Sequence, residues 1–193
     1  MPPKFKFTKK EIIDAAFELV REKGWTALST RSLADKLGSS ARPIYSYFNS
    51  MEELEEEVSK KGVDLLYEYM IQERTGDPWH DHGIGYVMFA KKEKCLFRGL
   101  NDEKHITFLK EYGEIIWDNC TASLSDYPPF EGLSDEQIYQ VQLYRWLIAH
   151  GLAFQASTHP PGLWTDEIIV HKMQEGSIAV LEGLKLQFAS TTL

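Results

Sequence analysis

Between residues 39 and 54 the chain reads SSARPIYSYFNSMEEL. Ser39, Ser40, Arg42, Tyr45, Ser46 and Tyr47 put hydroxyls, phenols and a guanidinium side by side. Those are the groups a DNA major groove asks for. An arginine can bond guanine in bidentate fashion, hydroxyls reach phosphates or base edges, and an apolar ring such as that of Pro43 can touch a thymine methyl. The plainer alternative is a core helix with decorated ends, since paired tyrosines often only half-bury and pack. The acidic run that follows, Glu52 to Glu57 broken by Leu54, is expected to open another helix, with its exposed acids turned away from phosphates.

Short helices must hold such a segment in place. Thr8-Lys9-Lys10-Glu11 has the form of a capping box, and Ile12, Ile13, Ala16, Phe17, Leu19 and Val20 follow at helical spacing. Gly24 is expected to end this first helix in a left-handed conformation. Ser29 can cap a second helix to about Leu37, with Leu33, Ala34 and Leu37 as its apolar face. A third is expected from about Ser40 to Phe48, tolerating Pro43 in its first turn. Three helices with a glycine-containing turn between the second and third make a helix-turn-helix. Ile44 and Phe48, four apart, would then pack inward on Leu33, Leu37 and Phe17.

Charge distribution agrees. The chain carries −8 overall. Residues 1–50 hold nine Lys/Arg against five acids, 9 − 5 = +4, which leaves 12 − 24 = −12 for the rest. Phosphate binding follows the local field rather than the sum.

The stretch GWTALSTRSLADKLGSSARPIYSYFNSMEEL, residues 24–54, resembles the DNA-binding domain of TetR-family transcriptional repressors. The resemblance covers about residues 8–58. It implies that Ser29, Thr30 and Arg31 meet phosphates and that Ser40, Ala41, Arg42, Pro43, Tyr45 and Tyr47 face the groove. Where the family commonly has a phosphate-binding lysine this chain has Met51, which removes one ionic contact per subunit. Lys4, Lys6, Lys9 and Lys10 are candidates to compensate.

The remaining chain reads as helices. One is expected from Ser50 to about Arg74, one over about 84–94 with uncertain ends, and one over 102–124 with a possible break at Gly113. A long helix capped by Ser134 should run to about Ala156, and a last one should run from Thr165 or Asp166 to about Phe188. The fold class is therefore all-α with about nine helices: a helix-turn-helix domain at 1–50 and a larger helical effector-binding and dimerisation domain at 51–193.

A lone helix-turn-helix reads few base pairs, and a two-fold dimer on a palindromic site is the usual remedy. Small residues on the last two helices, Gly151, Gly176, Ala179, Val180 and Gly183, suit a close four-helix crossing between subunits. Family resemblance points to the same place. The intervening region is rich in aromatics, and a cavity with aromatic walls and a few polar groups suits a small molecule. Phe89, Phe108, Tyr112, Trp117, Tyr144 and His150 are the candidates, with plain core packing as the alternative for each. His80-Asp81-His82 has too few ligands for a metal site and reads as a solvated loop. No nucleophile–base pair accompanies these residues, so no enzyme and no cofactor is expected.

Cys95 and Cys120 have no paired spacing and fit free thiols in a reducing cytoplasm. No apolar run approaches the roughly 18 residues of a membrane helix. The expected function is a dimeric repressor that a small effector releases from DNA. The alternative is a dimeric protein-interaction module that has kept the fold and lost operator binding.

Overall fold

The computed structural model describes residues 7–102, 106–160 and 162–191. Among them lie nine α-helices, two short 3-10 turns and no strand. The helices are α1 (Lys9–Lys23), α2 (Thr30–Lys36), α3 (Arg42–Tyr45), α4 (Met51–Ile71), α5 (Pro78–Lys92), α6 (Lys94–Leu100), α7 (Ile106–Ala122), α8 (Asp135–Thr158) and α9 (Asp166–Thr191).

The caps form as the sequence suggests. Thr8 accepts from the Glu11 amide, and the Glu11 carboxylate takes the Thr8 N–H at 2.7 Å. Ser134 and Gln137 repeat this reciprocal pair at α8. Thr165 accepts from the Ile168 amide at the start of α9. Gly24 has the positive φ (84°) that a glycine accommodates, but its ψ of 168° takes the chain onward extended rather than into a left-handed turn.

Four local readings change. The third helix is a single turn, Arg42–Tyr45, after which the Phe48 amide still bonds the Ile44 carbonyl. Next, α5 starts at Pro78, six residues earlier than expected. Asp77 Oδ1 takes the Trp79 and His80 amides there, and proline fits a first turn that needs no N–H partner. His80-Asp81-His82 therefore sits within a helix, with Asp81 and His82 buried, and not in a solvated loop. A separate α6 follows α5, and α7 runs through Gly113 unbroken.

Packing gathers the residues into two compact units, 1–65 with 93–114 and 66–92 with 115–193. In the first, Ile12, Phe17, Val20, Leu33, Ile44, Phe48, Leu54 and Leu96 are buried. A β-carbon on Gly99 of α6 would fall 1.7 Å from the Trp25 ring, so only glycine admits this indole. Arg21 of α1 grips Glu93, just before α6, with two hydrogen bonds of 2.6 Å.

In the second unit α5 lies in the middle and packs against α8 and α9. It has no exposed face: Trp79 and every residue from Asp81 to Ala90 are buried. At Gly85 a β-carbon would fall 2.1 Å from the Tyr69 carbonyl oxygen, so α4 and α5 meet there backbone to backbone. Trp79, Leu124, Phe130, Val141 and Leu181 form one apolar cluster of this unit.

Candidate nucleic-acid interface and effector region

Ser29 opens α2 with its hydroxyl on the Ser32 amide, and Ser32 answers on the Ser29 N–H. Ser29 and Arg31 are exposed and Thr30 is half-buried. In the next segment Ser40, Arg42, Tyr45 and Ser46 are exposed, while Ala41, Pro43 and Tyr47 are partly covered. Leu33 and Ile44 are fully buried and Phe48 nearly so, which fixes the side the polar groups occupy. The structure thus collects the nine candidate residues on α2 and on the segment around α3, beside a shared apolar floor.

Two tyrosines have further work. Tyr45 shares a 2.8 Å hydrogen bond with the Thr30 hydroxyl and so ties α3 to the first residue of α2. The Tyr47 hydroxyl donates to the Phe7 carbonyl at 3.0 Å and holds the strand of chain leading into α1. Neither tie is evident from spacing alone, because each crosses between elements.

Around this floor the charges are partly spent. Lys9 pairs with Glu57 at 2.7 Å and lies over the Phe48 ring. Lys10 pairs with Asp14, which also meets Lys61. Those two hydrogen bonds hold the Asp14 carboxyl below its ordinary range. Lys4 and Lys6 lie outside the described residues. The acids of the run after α3 are mostly engaged: Glu53 accepts from the Asn49 backbone and side chain, Glu56 meets Lys60, and Glu57 meets Lys9. Met51 is the first residue of α4 and partly covered.

The described aromatic candidates each have their own neighbours. Phe89 is fully buried with its ring edge-on to Tyr69 at 5.7 Å. Tyr112 carries the Lys60 ammonium 6.0 Å above its ring. Trp117 packs on Tyr139 at 5.7 Å. Tyr144 is about half exposed. His150 shares a 2.9 Å hydrogen bond with Tyr86 and leans on Trp146, and burial lowers its basicity. The Phe108 side chain lies outside the described residues. Sequence reasoning could not separate core rings from pocket rings, because helical spacing serves both.

The small residues divide similarly. Gly151 and Gly183 have open space around them and Ala179 is exposed. Val180 is half-buried, and a β-carbon on Gly176 would come within 3.2 Å of Ile148. More telling is what surrounds them. Tyr144, Leu147, Ile148 and Phe154 of α8 are exposed, as are Ile178 and Leu186 of α9. On α8 these fall at 144, 147, 148 and 154, with Gly151 among them, one face of a helix.

Among the described residues, which are helical apart from turns and loops, a short exposed polar segment on a buried floor has the form of a helix-turn-helix. Comparison with known proteins shows what the N-terminal segment is similar to. Residues 12–58 match the family described as bacterial regulatory proteins, tetR family. An uncharacterised HTH-type transcriptional regulator of Bacillus subtilis (strain 168), YobS, is 29% identical over 80 residues, 40% of this chain. That match spans only 42% of the relative's length.

Two solved structures share the fold along most of the chain. A transcriptional regulator from Rhodococcus sp. Rha1 superposes with a TM-score of 0.69 at 18% identity, covering 92% of this chain and 97% of that one. A protein described as a transcriptional regulator of the TetR family, from Vibrio parahaemolyticus, gives 0.56 at 19% identity, covering 88% and 96%. No helix among the described residues is long and apolar enough to cross a membrane.

Proposed function

We propose that the chain is a cytoplasmic, homodimeric transcriptional repressor that binds a palindromic operator and is released from it by a small molecule. The observation that carries this is the arrangement at α2 and α3. Ser29, Thr30 and Arg31 stand at the N-terminal end of α2, where phosphates bind well. Ser40, Arg42 and Tyr45 stand beyond the buried Ile44 and Phe48, where base edges are reached.

Dimerisation rests on the exposed apolar face of α8 and α9. Tyr144, Leu147, Phe154, Ile178 and Leu186 are each half exposed or more, and a contiguous patch of that kind marks an interface. Gly151 and Gly183 leave room for a partner helix. The two reading heads of a dimer then meet two half-sites related by the same two-fold axis.

Effector release is a population shift. The ligand favours one arrangement of the chain and DNA another, and the difference in affinity sets the response. Helix α4 has residues in both compact units and is the lever assigned to this step.

Selection of bound sequences from a random duplex library at about 100 mM salt tests the reading, since affinity without stated salt has little meaning. An enriched palindrome is the expected result. A folded dimer that enriches nothing, alone and with cell extract added, would sink it and favour a protein-interaction role, which Met51 in place of the usual lysine also suits.

A further inference from the structure

The second compact unit holds a cleft of about 340 Å3 at the end of α4, the start of α5 and the end of α7. Sites for small molecules begin at roughly this size. Met70, Ile71 and Pro78 give it apolar walls, and His82, Asn119 and Cys120 give polar ones. None of the described aromatic candidates named from the sequence lines it.

Two buried nitrogens are without partners here, one on His82 in the cleft wall and one on Arg145 behind it on α8. His82 is 4% exposed, and its Nδ1 meets no hydrogen-bonding atom. Arg145 of α8 is 5% exposed. It donates from Nη1 to the Trp79 carbonyl at 2.6 Å, rests against the Trp79 ring, and leaves Nε unpartnered. Glycine at position 83 makes room for it, because a β-carbon there would stand 3.2 Å from Nη1. Burial, and after it the Arg145 cation, brings His82 down to about 4. Burial pushes the Cys120 thiol up to about 11 against the pull of the same cation. Arg145 does not itself line the cleft, but its Nη1 lies beside Gly83 and the Trp79 carbonyl, on the helix that carries His82.

The acids nearby are committed elsewhere. Asp77 uses Oδ1 on the Trp79 and His80 amides and Oδ2 on the Tyr127 hydroxyl. Asp81, which also lines the cleft, accepts from the Arg74 amide and from the Thr75 amide and hydroxyl. Glu73 is exposed at the rim. Among the described residues no carboxylate forms an ion pair with Arg145. A buried cation without a carboxylate is costly, and an anion that reaches it recovers much of that cost.

We propose that this cleft takes a small apolar molecule ending in a carboxylate, its body against Met70, Ile71 and Pro78 and its acid group toward His82 and Arg145. The assignment names the effector class and rests on the effector-responsive reading above. Bidentate and charge-assisted bonds make arginine the natural anchor for such a group.

Isothermal titration of the 193-residue chain, without DNA, uses octanoate, 1-octanol and octylamine as probes. Octanoate should bind about tenfold or more tighter than the alcohol, the yield of one charge-assisted bond, with the amine weakest. Arg145→Met should erase that preference and leave the alcohol's affinity unchanged. Because Arg145 is buried, Ile71→Glu provides a check at a position 53% exposed. Losing the Ile71 wall should weaken both probes, and the like charge at the mouth should weaken octanoate about fivefold more than octanol. The idea fails if octanoate does not bind, or if neither substitution affects it. Equal binding of acid and alcohol also overturns it, and would mean that Asp77 and Asp81 balance Arg145 at a distance. Octanoate that binds as expected yet leaves operator affinity unchanged supports the site and overturns only the effector-release reading.

Discussion

Replacing Gly85 with alanine pits two effects against each other. In a helix interior alanine is favoured over glycine by about 1 kcal/mol. At Gly85, however, the new β-carbon would sit 2.1 Å from the Tyr69 oxygen and 2.5 Å from the Met70 Cα. Ordinary carbon contacts begin near ~3.5 Å, so α4 and α5 must part by about 1 Å or more. Both obstacles are backbone, which has no rotamer to give. Overpacking of this kind costs typically about 1–3 kcal/mol, and the upper end applies here. The net expectation is a loss of about 2 kcal/mol. For a chain of this length that lowers the melting midpoint by roughly 4–8 °C.

Gly113 supplies the control. It also lies inside a helix, but nothing stands within 4 Å of its missing β-carbon. Gly113→Ala should therefore raise stability by about 0.5–1 kcal/mol. Urea and thermal unfolding of the two variants side by side decide the matter. If Gly85→Ala were neutral or stabilising, the claim that the two backbones touch would be wrong.

Arg42→Ala should cost about 1–3 kcal/mol of discrimination at one base pair if the guanidinium reads guanine, whereas an equal loss on all sequences, seen by titrating several duplexes, would move it to a phosphate. Phe154→Glu places a charge on an exposed apolar face and should convert dimer to folded monomer in sedimentation; an unchanged dimer would locate the interface elsewhere. Thr8→Ala removes the cap of α1 and should cost about 1 kcal/mol in denaturant unfolding. His82 should make the fold acid-sensitive. Its folded pKa, about 4, lies below the unfolded 6.5, so the unfolded chain binds the extra proton and stability drains as pH falls through that window. The full loss is about 3 kcal/mol, and His82→Gln should flatten the pH profile by that amount.

The head was legible because each of its signals is local. Thr8 with Glu11, Ser29, and the spacing of Ile44 and Phe48 declare caps and faces within a few residues of themselves. Length misled only at α3, where the pattern runs to Phe48 and the helix proper stops at Tyr45. The body was harder for a physical reason. Helix α5 is buried on every side, so it lacks the polar stripe that marks a helix and its limits. Its two histidines and aspartate then look like a loop, although Asp77-Pro78 was the available start signal. Helix α6 is one short element after it and carries no side-chain cap. The cleft drew on Met70, Ile71 and Pro78 rather than on the aromatic candidates, while His82, Asn119 and Arg145 are polar groups that the sequence places among the aromatics, and the missing acidic partner of Arg145 became visible only in the structure.

At the recognition segment, residues that hold and residues that present alternate. Ile44 and Phe48 have almost no exposure, while Arg42 and Tyr45 stand in solvent. Substitution at one set leaves the other nearly untouched, since exposed positions away from caps and cores rarely shift stability by more than about 0.5 kcal/mol. If these side chains read DNA as proposed, a duplicated copy of such a gene can drift to a new operator by changing a few of them, with no interval in which the protein fails to fold. The Tyr45–Thr30 tie is the exception: those two positions are free to change only together, and a lineage that altered one would be expected to show the other altered too.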